Sequence, residues 1–176
     1  MSPFPKLSHL HIFTFLLLCP LLNASDVQTY FADEGTPEGV LVQEIKNCQK
    51  SLHACLYSFT DRELGHALVL ASRRGVDVRV ILDESQTEER NSEANYLIQN
   101  LGPDRVQLRR GRTGPGSIMH NKFAIFDGER VATGSYHWTT SAKNYNYENL
   151  LLLTGPSGHE AAEAFEKEFS RIWSAN

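Results

Sequence analysis

A histidine and a lysine two residues apart, His120 and Lys122, open the part of this sequence that is richest in reactive side chains. Residues i and i+2 of a β-strand point to the same face, so the two side chains are expected side by side. A lysine offers a fixed positive charge to phosphate oxygens, and an imidazole can attack phosphorus or carry a proton near neutral pH. The pair therefore indicates phosphate chemistry.

Further polar positions follow at short intervals. Asp127 lies at a predicted hairpin turn, and Gly134-Ser135 brings a backbone and a hydroxyl to the end of the second hairpin strand. Glu148 opens the next predicted strand and could hold an imidazole in one tautomer, as the carboxylate of a catalytic triad does. One hairpin histidine alone is weak evidence for a site, but the joint spacing is far more specific.

Hydrophobic periodicity predicts the elements that position these residues. We expect strands at 52–59, 76–82, 105–109, 122–133 and 148–153, of which 122–133 is a hairpin turning at Asp127-Gly128. We expect helices from Thr36-Pro37-Glu38, from the capping box at Thr60 as far as Gly75, over 92–101, and through Phe165, Phe169, Ile172 and Trp173. This order predicts an α/β sandwich, a mixed β-sheet flanked by helices on both faces.

The first residues differ in composition from the rest. Lys6 precedes an apolar run that ends near Pro20, with Ala24 and Ser25 just after it. This pattern resembles a secretory signal peptide over residues 1–24, cleaved after Ala24, and an uncleaved membrane anchor is the alternative. The expected location is therefore periplasmic or secreted, with residues 25–176 as a single domain. In that part an oxidising compartment would permit a disulfide between Cys48 and Cys55, but we interpret the two as small core residues.

The charge of the chain bears on what it can bind. A net charge of −4 means that a polyanion-binding protein needs a local basic patch. Arg109, Arg110 and Arg112 flank the glycine-rich loop that leads into His120, and we interpret them as a basic lip for a nucleic-acid backbone. Tyr136, Trp138 and Tyr145 could stack on bases, although core packing explains Trp138 equally well, and His53 and His66 are interpreted as structural.

The spacing His120-x-Lys122-x4-Asp127-x6-Gly134-Ser135 resembles the HxKxxxxDxxxxxxGS signature of the phospholipase D superfamily. The stretch "YSFTDRELGHALVLASRRGVDVRVILDESQ" (57–86) and the closing "FEKEFSRIW" look like the small single-motif members of that family. These members are bacterial periplasmic endonucleases and the mitochondrial cardiolipin hydrolase group. The resemblance covers nearly everything after the leader.

The resemblance implies catalytic roles for four residues. His120 corresponds to the nucleophilic histidine, Lys122 to the phosphate-binding lysine and Glu148 to the acid that orients the histidine. Asp127 matches the aspartate of the motif, although a residue at a turn can be mainly structural.

The resemblance also implies a set of substrate-binding residues. Ser135 corresponds to the serine near the substrate, and Asn146 and Asn149 match the asparagines of the trailing "NxEN". His137 stands where the family usually has asparagine, and it can also donate to phosphate from a ring nitrogen. We add Arg110 and Arg112 as the basic lip.

The motif occurs once, and this affects assembly. Hydrolysis through a phosphohistidine needs one imidazole to attack and a second to protonate the leaving oxygen and then activate water. The resemblance therefore implies a homodimer in which two His120 side chains face each other across a two-fold axis. It implies no metal and no cofactor, because lysine and amide donors stabilise the charge.

The residues leave four functions open. A nuclease cutting DNA or RNA with little sequence preference is favoured, and a phospholipase D-type lipid hydrolase acting on a lipid such as cardiolipin is the alternative. A catalytically silent nucleic-acid-binding scaffold is supported only by His137. A metal nuclease with His120, His137 and Asp127 as ligands is disfavoured, because Lys122 would repel a cation.

Overall fold

The computed structural model describes residues 26–32 and 37–175. The strands are β1 (Val27–Phe31), β2 (Ser51–Leu56), β3 (Asp77–Asp83), β4 (Val106–Arg109), β5 (Lys122–Phe126), β6 (Arg130–Gly134) and β7 (Asn149–Leu153). The α-helices are α1 (Pro37–Asn47), α2 (Arg62–Arg73), α3 (Ala94–Leu101), α4 (Thr140–Asn144) and α5 (Gly155–Trp173). The predicted leader, its cleavage after Ala24 and the cap at Thr36 lie outside the described residues. Of the helices in 26–32 and 37–175, none has the length and apolar content that crossing a membrane requires.

The strands form one mixed sheet, as the sequence predicts, and their order in it is β1-β7-β6-β5-β2-β3-β4. The neighbours β2, β3 and β4 run parallel, and β2, β5, β6, β7 and β1 pair antiparallel in turn. Strand β2 is thus parallel to one neighbour and antiparallel to the other. The carboxyl ends of the parallel strands therefore meet the beginning of β5 at one edge of the sheet.

Helices cover both faces, as predicted. Side chains alternate along β2, so that Leu52 and Leu56 join the core shared with α1, α2 and α3, while Cys55 joins the core under α5. His53 also faces α5, where its Nδ1 lies 2.9 Å from the Glu166 carboxylate and its ring stacks on Phe169. These contacts agree with the structural interpretation of His53.

The two cysteines of the described chain are buried and unpaired, which confirms their interpretation as core residues. They belong to the cores on opposite faces of the sheet. Burial, followed by the nearby Asp127 carboxylate, raises the pKa of the Cys48 thiol to about 12.

Several local predictions need correction. The second strand ends at Leu56 and not at residue 59, because the chain leaves the sheet at Tyr57. The cap of α2 is Asp61, whose Oδ1 accepts from the backbone N–H groups of Glu63 and Leu64 at 2.9 and 3.1 Å. Thr60 is not the cap, because its hydroxyl accepts instead from the N–H of Thr140 at 3.3 Å.

Two elements were not predicted from the sequence. Strand β1 is an exposed edge strand that pairs with β7, so it lacks the apolar run of a buried strand. Helix α4 is capped by Thr139 and has five residues, and a helix of this length is too short to give a periodic pattern.

The predicted hairpin turns at Asp127-Gly128, where both residues have positive φ, 59° and 69°. The Asp127 carboxylate leaves the hairpin and accepts from the backbone N–H groups of Gln49 and Lys50, at 2.9 and 2.6 Å. Burial alone would raise the pKa of Asp127, but these N–H groups and the Cys48 thiol hold it below its usual value. Asp127 thus joins the hairpin to the loop between α1 and β2.

Replacing Asp127 with Ala is expected to lower the free energy of unfolding by about 3 kcal/mol, because three backbone N–H groups lose their acceptor and Ala disfavours positive φ. Asp127→Asn is the matched control, since it keeps one acceptor oxygen and tolerates this φ, so its loss should be smaller. Urea unfolding at neutral pH measures both values. Since the folded pKa is lowered, the stabilisation by Asp127 is present above about pH 3.9 and is lost as pH falls through the folded pKa. Equal stability of the three proteins would contradict this role.

Candidate active site

His120 and Lys122 lie together at the beginning of β5, as predicted. The Lys122 Nζ atom is 3.1 Å from His120 Nδ1 and donates to the His120 carbonyl at 2.8 Å. In the sheet register Lys122 is opposite Leu56, the last residue of β2. The pair therefore lies at the edge where the parallel strands end, which is where α/β sheets commonly bind ligands.

Tyr57 is a component of the site that the sequence analysis did not single out. Its N–H donates to the Asn121 carbonyl at 2.9 Å, which continues the β2–β5 pairing by one step. Its ring centroid is 4.6 Å from that of His120, and Lys122 Nζ lies 5.7 Å from the same centroid. An aromatic residue directly after a buried parallel strand was the signal that could have identified it.

Asp83 is a second such component, at the carboxyl end of β3. It is 1% exposed, and its Oδ2 accepts from the backbone N–H of Met119 at 2.6 Å. This bond fixes the residue that precedes His120. Burial and the Lys122 charge lower the pKa of His120, and the negative charge of Asp83 partly opposes this lowering.

Ser135, Glu148 and the two asparagines form a separate hydrogen-bonded group beside the pair. The Ser135 hydroxyl donates to Glu148 Oε2 at 2.6 Å and accepts from the Asn149 N–H at 3.1 Å. Asn146 Nδ2 donates to Glu148 Oε1 at 3.3 Å. Gly134 permits this close packing, because a Cβ there would lie 2.4 Å from the Asn149 carbonyl oxygen.

The structure corrects the expected contact between Glu148 and His120. Within the described chain, the hydrogen bonds of the Glu148 carboxylate go to Ser135 and Asn146. Glu148 still acts on the pair through space, since its charge raises the pKa of Lys122 against the lowering caused by burial. Its role in this structure is therefore to position Ser135 and to balance the lysine charge.

Asp127 is not brought to the site. It follows β5, so the length of that strand, about 17 Å for five residues, separates it from the reactive pair. Its carboxylate is occupied by the backbone of the α1–β2 loop. This corrects its inclusion among the catalytic residues, and the structural interpretation of the motif aspartate stands.

His137 lies close to the pair. Its ring centroid is 5.9 Å from that of His120 and 5.8 Å from that of Tyr57. Burial lowers the pKa of His137, and the charge of Lys122 lowers it further.

The electrostatics favour a neutral imidazole at His120. Partial burial lowers the pKa of His120, the Lys122 charge lowers it further, and among the described residues the Asp83 charge opposes this. A lowered pKa keeps a ring nitrogen unprotonated at neutral pH. An unprotonated nitrogen is what a nucleophilic histidine requires.

The predicted basic lip is only partly present. A groove of about 540 Å³ runs from His120 past Arg110 and Arg112 to the end of α5. Arg110 is paired with Glu84 at 2.6 Å, whereas Arg112 is exposed. Arg109 also lines this groove, but its guanidinium is engaged by the carbonyls of Ile172 and Trp173 at the end of α5.

The predicted stacking residues divide into two classes. Tyr136 and Trp138 are 1% and 2% exposed, so they belong to the core and cannot stack on a base. Tyr145 is 82% exposed, and Tyr147, which the sequence analysis did not consider, is 93% exposed. The exposed pair flanks Asn146 at the margin of the site.

Comparison with known proteins gives consistent similarities. A family profile described as "Cardiolipin synthase, PLD-like domain" matches residues 41–173. The mitochondrial cardiolipin hydrolase of Danio rerio is 30% identical over 178 residues, which cover 99% of this chain and 71% of the relative. The human protein of the same name is 35% identical over 162 residues, which cover 87% of this chain and 61% of the relative. The chain is thus similar to a part of each longer relative.

One solved structure is matched over a larger share of its own length than these two relatives are. The crystal structure of a phospholipase D family member, Nuc from Salmonella typhimurium, superposes with a TM-score of 0.73 at 31% identity. The match covers 84% of this chain and 93% of that one.

Replacing Asp83 with Asn is expected to lower the pKa of His120 further, because a charge that opposes burial and Lys122 is removed. Asn keeps an acceptor for the Met119 N–H. The titration of the His120 ring protons by NMR measures this pKa. Asp77→Asn is the matched control, since Asp77 is the first residue of the strand that Asp83 ends, and it is therefore far from His120. An unchanged His120 titration in the Asp83 variant would contradict the assignment.

Proposed function

The chain belongs to the phospholipase D superfamily and is one of its hydrolases, and on this premise we propose that it is a metal-independent phosphodiesterase that forms a phosphohistidine on His120. The observation that carries the proposal is the pairing of His120 with Lys122, whose Nζ lies 3.1 Å from the imidazole Nδ1. The lowered pKa of His120 supports the role of nucleophile.

The proposed reaction has two steps. An unprotonated nitrogen of His120 attacks phosphorus, the N–P bond forms and the ester oxygen leaves as an alcohol. Water then attacks the phosphohistidine, so the N–P bond breaks and a phosphate monoester is released. Lys122 stabilises the charge on the phosphoryl oxygens, and Ser135, Asn146 and Asn149 are proposed to bind the substrate.

We propose that the protein is a homodimer, as the family resemblance implies. In that assembly two His120 side chains face each other across a two-fold axis. If one subunit offered a single imidazole, the proton for the leaving oxygen would come from the other subunit.

A nucleic acid without sequence preference is the substrate that we propose first. The groove beside His120 is open and leads past Arg112, which can contact a phosphate backbone. The resemblance to bacterial periplasmic endonucleases and the structural similarity to Nuc support this choice. A periplasmic or secreted location, following from the predicted leader, belongs to the same proposal.

A lipid hydrolase is the second candidate. The relatives from Danio rerio and human are named mitochondrial cardiolipin hydrolase, and cardiolipin also presents phosphodiesters. The exposed Tyr145 and Tyr147 beside the site are suited to a lipid headgroup boundary, because a tyrosine ring has one apolar and one polar end. An uncleaved leader would serve as the anchor in this case.

The substrate is tested by assaying plasmid DNA, RNA and cardiolipin vesicles, each with and without excess EDTA. We expect cleavage of nucleic acid that survives EDTA and is absent in His120→Ala. Cleavage of cardiolipin alone would select the lipid hydrolase, and nucleic-acid binding without any turnover would select the silent scaffold. A loss in EDTA that a divalent ion restores would contradict the phosphohistidine route.

Replacing Lys122 with Ala is expected to lower kcat by about a hundredfold or more, by analogy with the removal of one donor to a developing oxyanion. Lys167→Ala is the matched control, because Lys167 is an exposed lysine on α5. Steady-state kinetics on the preferred substrate measure the loss, with circular dichroism to verify the fold. A loss no larger than that of the control would remove Lys122 from the mechanism.

A further inference from the structure

The groove that leads from His120 to the end of α5 is lined by four arginines of the described chain and by Glu168. We propose that Arg171 is a further substrate-binding residue of this groove, and that Glu168 occupies its guanidinium until a phosphate of a nucleic-acid strand replaces it. Glu84 holds Arg110 in the same way. This role rests on the proposed nuclease function and names the residues that bind the strand beside the reacting phosphate.

Arg171 lies on a fixed part of the groove wall. It belongs to the last turn of α5, and its side chain is 52% exposed, so a ligand can reach the guanidinium. Arg109 holds this turn, since its guanidinium donates to the carbonyls of Ile172 and Trp173 at 3.0 and 2.7 Å. A strand whose reacting phosphate lies at His120 would therefore pass a positioned Arg171 as it leaves along the groove.

The Arg171 guanidinium is occupied in the free protein. Its Nε donates to Glu168 Oε2 at 2.7 Å, and a terminal nitrogen donates to Glu168 Oε1 at 2.6 Å, which makes the pair bidentate. Both residues line the groove. The same two donors of a guanidinium fit two oxygens of a phosphate. The Glu168 carboxylate thus has the position that a phosphate of the strand would take.

A second carboxylate holds another arginine of the groove. Glu84 Oε2 accepts from Arg110 Nε at 2.6 Å, and Glu84 directly follows Asp83, the buried residue that binds the Met119 N–H. The hydrogen bond and the charge of Arg110 lower the pKa of Glu84, so this carboxylate keeps its charge at neutral pH. Two carboxylates therefore compete with a strand for two arginines.

Arg112 gives the exchange a place to begin. Within the described ranges it has no ion pair, and it lies close enough to Glu168 for its charge to lower the pKa of that carboxyl, after the larger effect of Arg171. A phosphate bound at Arg112 therefore brings a like charge towards Glu168. Exposed ion pairs contribute little stability and are readily exchanged. A strand with several phosphates can displace the carboxylates in turn, so the groove favours a polyanion over a single phosphate.

Another ion pair on α5 provides a matched comparison. His159 Nε2 lies 3.8 Å from Glu163 Oε1, and neither residue lines the groove. Glu163→Gln changes the net charge by as much as Glu168→Gln does, and on the same helix. The two variants therefore separate a local exchange at Arg171 from a general effect of net charge.

Binding of a fluorescent decathymidylate tests the exchange, with the full chain carrying His120→Ala so that no strand is cut. Adding Glu168→Gln should tighten binding by about threefold, the size expected for an exposed ion pair that no longer has to be broken. The plot of log affinity against log salt concentration should become steeper by about 0.7, since a phosphate contact is gained without freeing a carboxylate. Glu84→Gln should act in the same direction through Arg110.

Arg171→Gln identifies the group that receives the phosphate. Added to Glu168→Gln, it should weaken binding by about threefold and return the salt slope to that of the starting protein, because the freed guanidinium is lost. Lys167→Ala is the matched control, since it removes an exposed cation of α5 that does not line the groove. Added to Glu168→Gln, it should leave the steeper slope in place.

Equal salt slopes for Glu168→Gln and Glu163→Gln would overturn the exchange while the nuclease proposal stands. A slope that stays steep when Arg171→Gln is added would overturn it as well. If the wild type cuts no nucleic acid and the His120→Ala protein binds no strand, the proposed substrate itself fails. Tighter binding of the Glu168 variant to cardiolipin vesicles, with no gain on decathymidylate, would assign the groove to a lipid headgroup and overturn the role of these residues in binding a strand.

Discussion

The antiparallel pairing of β5 with β2 is the contact on which the site depends. Because β2 is also parallel to β3, this pairing brings the beginning of one strand to the carboxyl ends of two others. Tyr57 follows β2, Asp83 ends β3, and Lys122 begins β5 with His120 two residues before it. Groups far apart in sequence therefore meet at one edge of the sheet without a long loop to hold them. The buried Asp83 carboxylate completes the arrangement by binding the Met119 N–H, so the reactive histidine follows a fixed backbone.

The electrostatic character of the site follows from local pairing more than from net charge. Several cations near the groove are already neutralised by a carboxylate, as Arg110 is by Glu84 and Arg171 is by Glu168. Lys122 has no such direct partner among the described residues, and its neighbours are imidazoles whose pKa values it lowers. A phosphate group entering the site thus meets the Lys122 charge beside two imidazoles whose pKa values are lowered. This combination attracts the anion while leaving a nitrogen free to react with it.

The sequence predicted the fold class, the order of the longer elements and the meeting of His120 with Lys122, because strand periodicity and turn chemistry are local properties. The hairpin is the clearest case, since Asp127-Gly128 is a turn signal that needs no information from elsewhere. Strand β1 and helix α4 were missed because an exposed edge strand and a single short helix have little periodic signal. Tyr57 and Asp83 were missed for another reason. Their roles arise from strand order, and the sequence does not state that β5 lies next to β2. The predicted contact of Glu148 with His120 was wrong for the same reason, since the Glu148 carboxylate accepts from the Ser135 hydroxyl instead.

The length of strand β5 explains the spacing between the lysine and the aspartate of the motif. The two ends of this strand are held independently. Near the first end the Met119 N–H donates to Asp83, and after the other end Asp127 accepts from the N–H groups of the α1–β2 loop. Between them Phe123 and Ile125 face the core under α5, while Ala124 and Phe126 face the opposite core. One residue more or fewer would exchange these faces and bury the wrong side chains on both sides of the sheet. The four unspecified positions of the motif therefore set the length of strand β5 and decide which core each of its side chains faces. Their number is constrained more strongly than their identity.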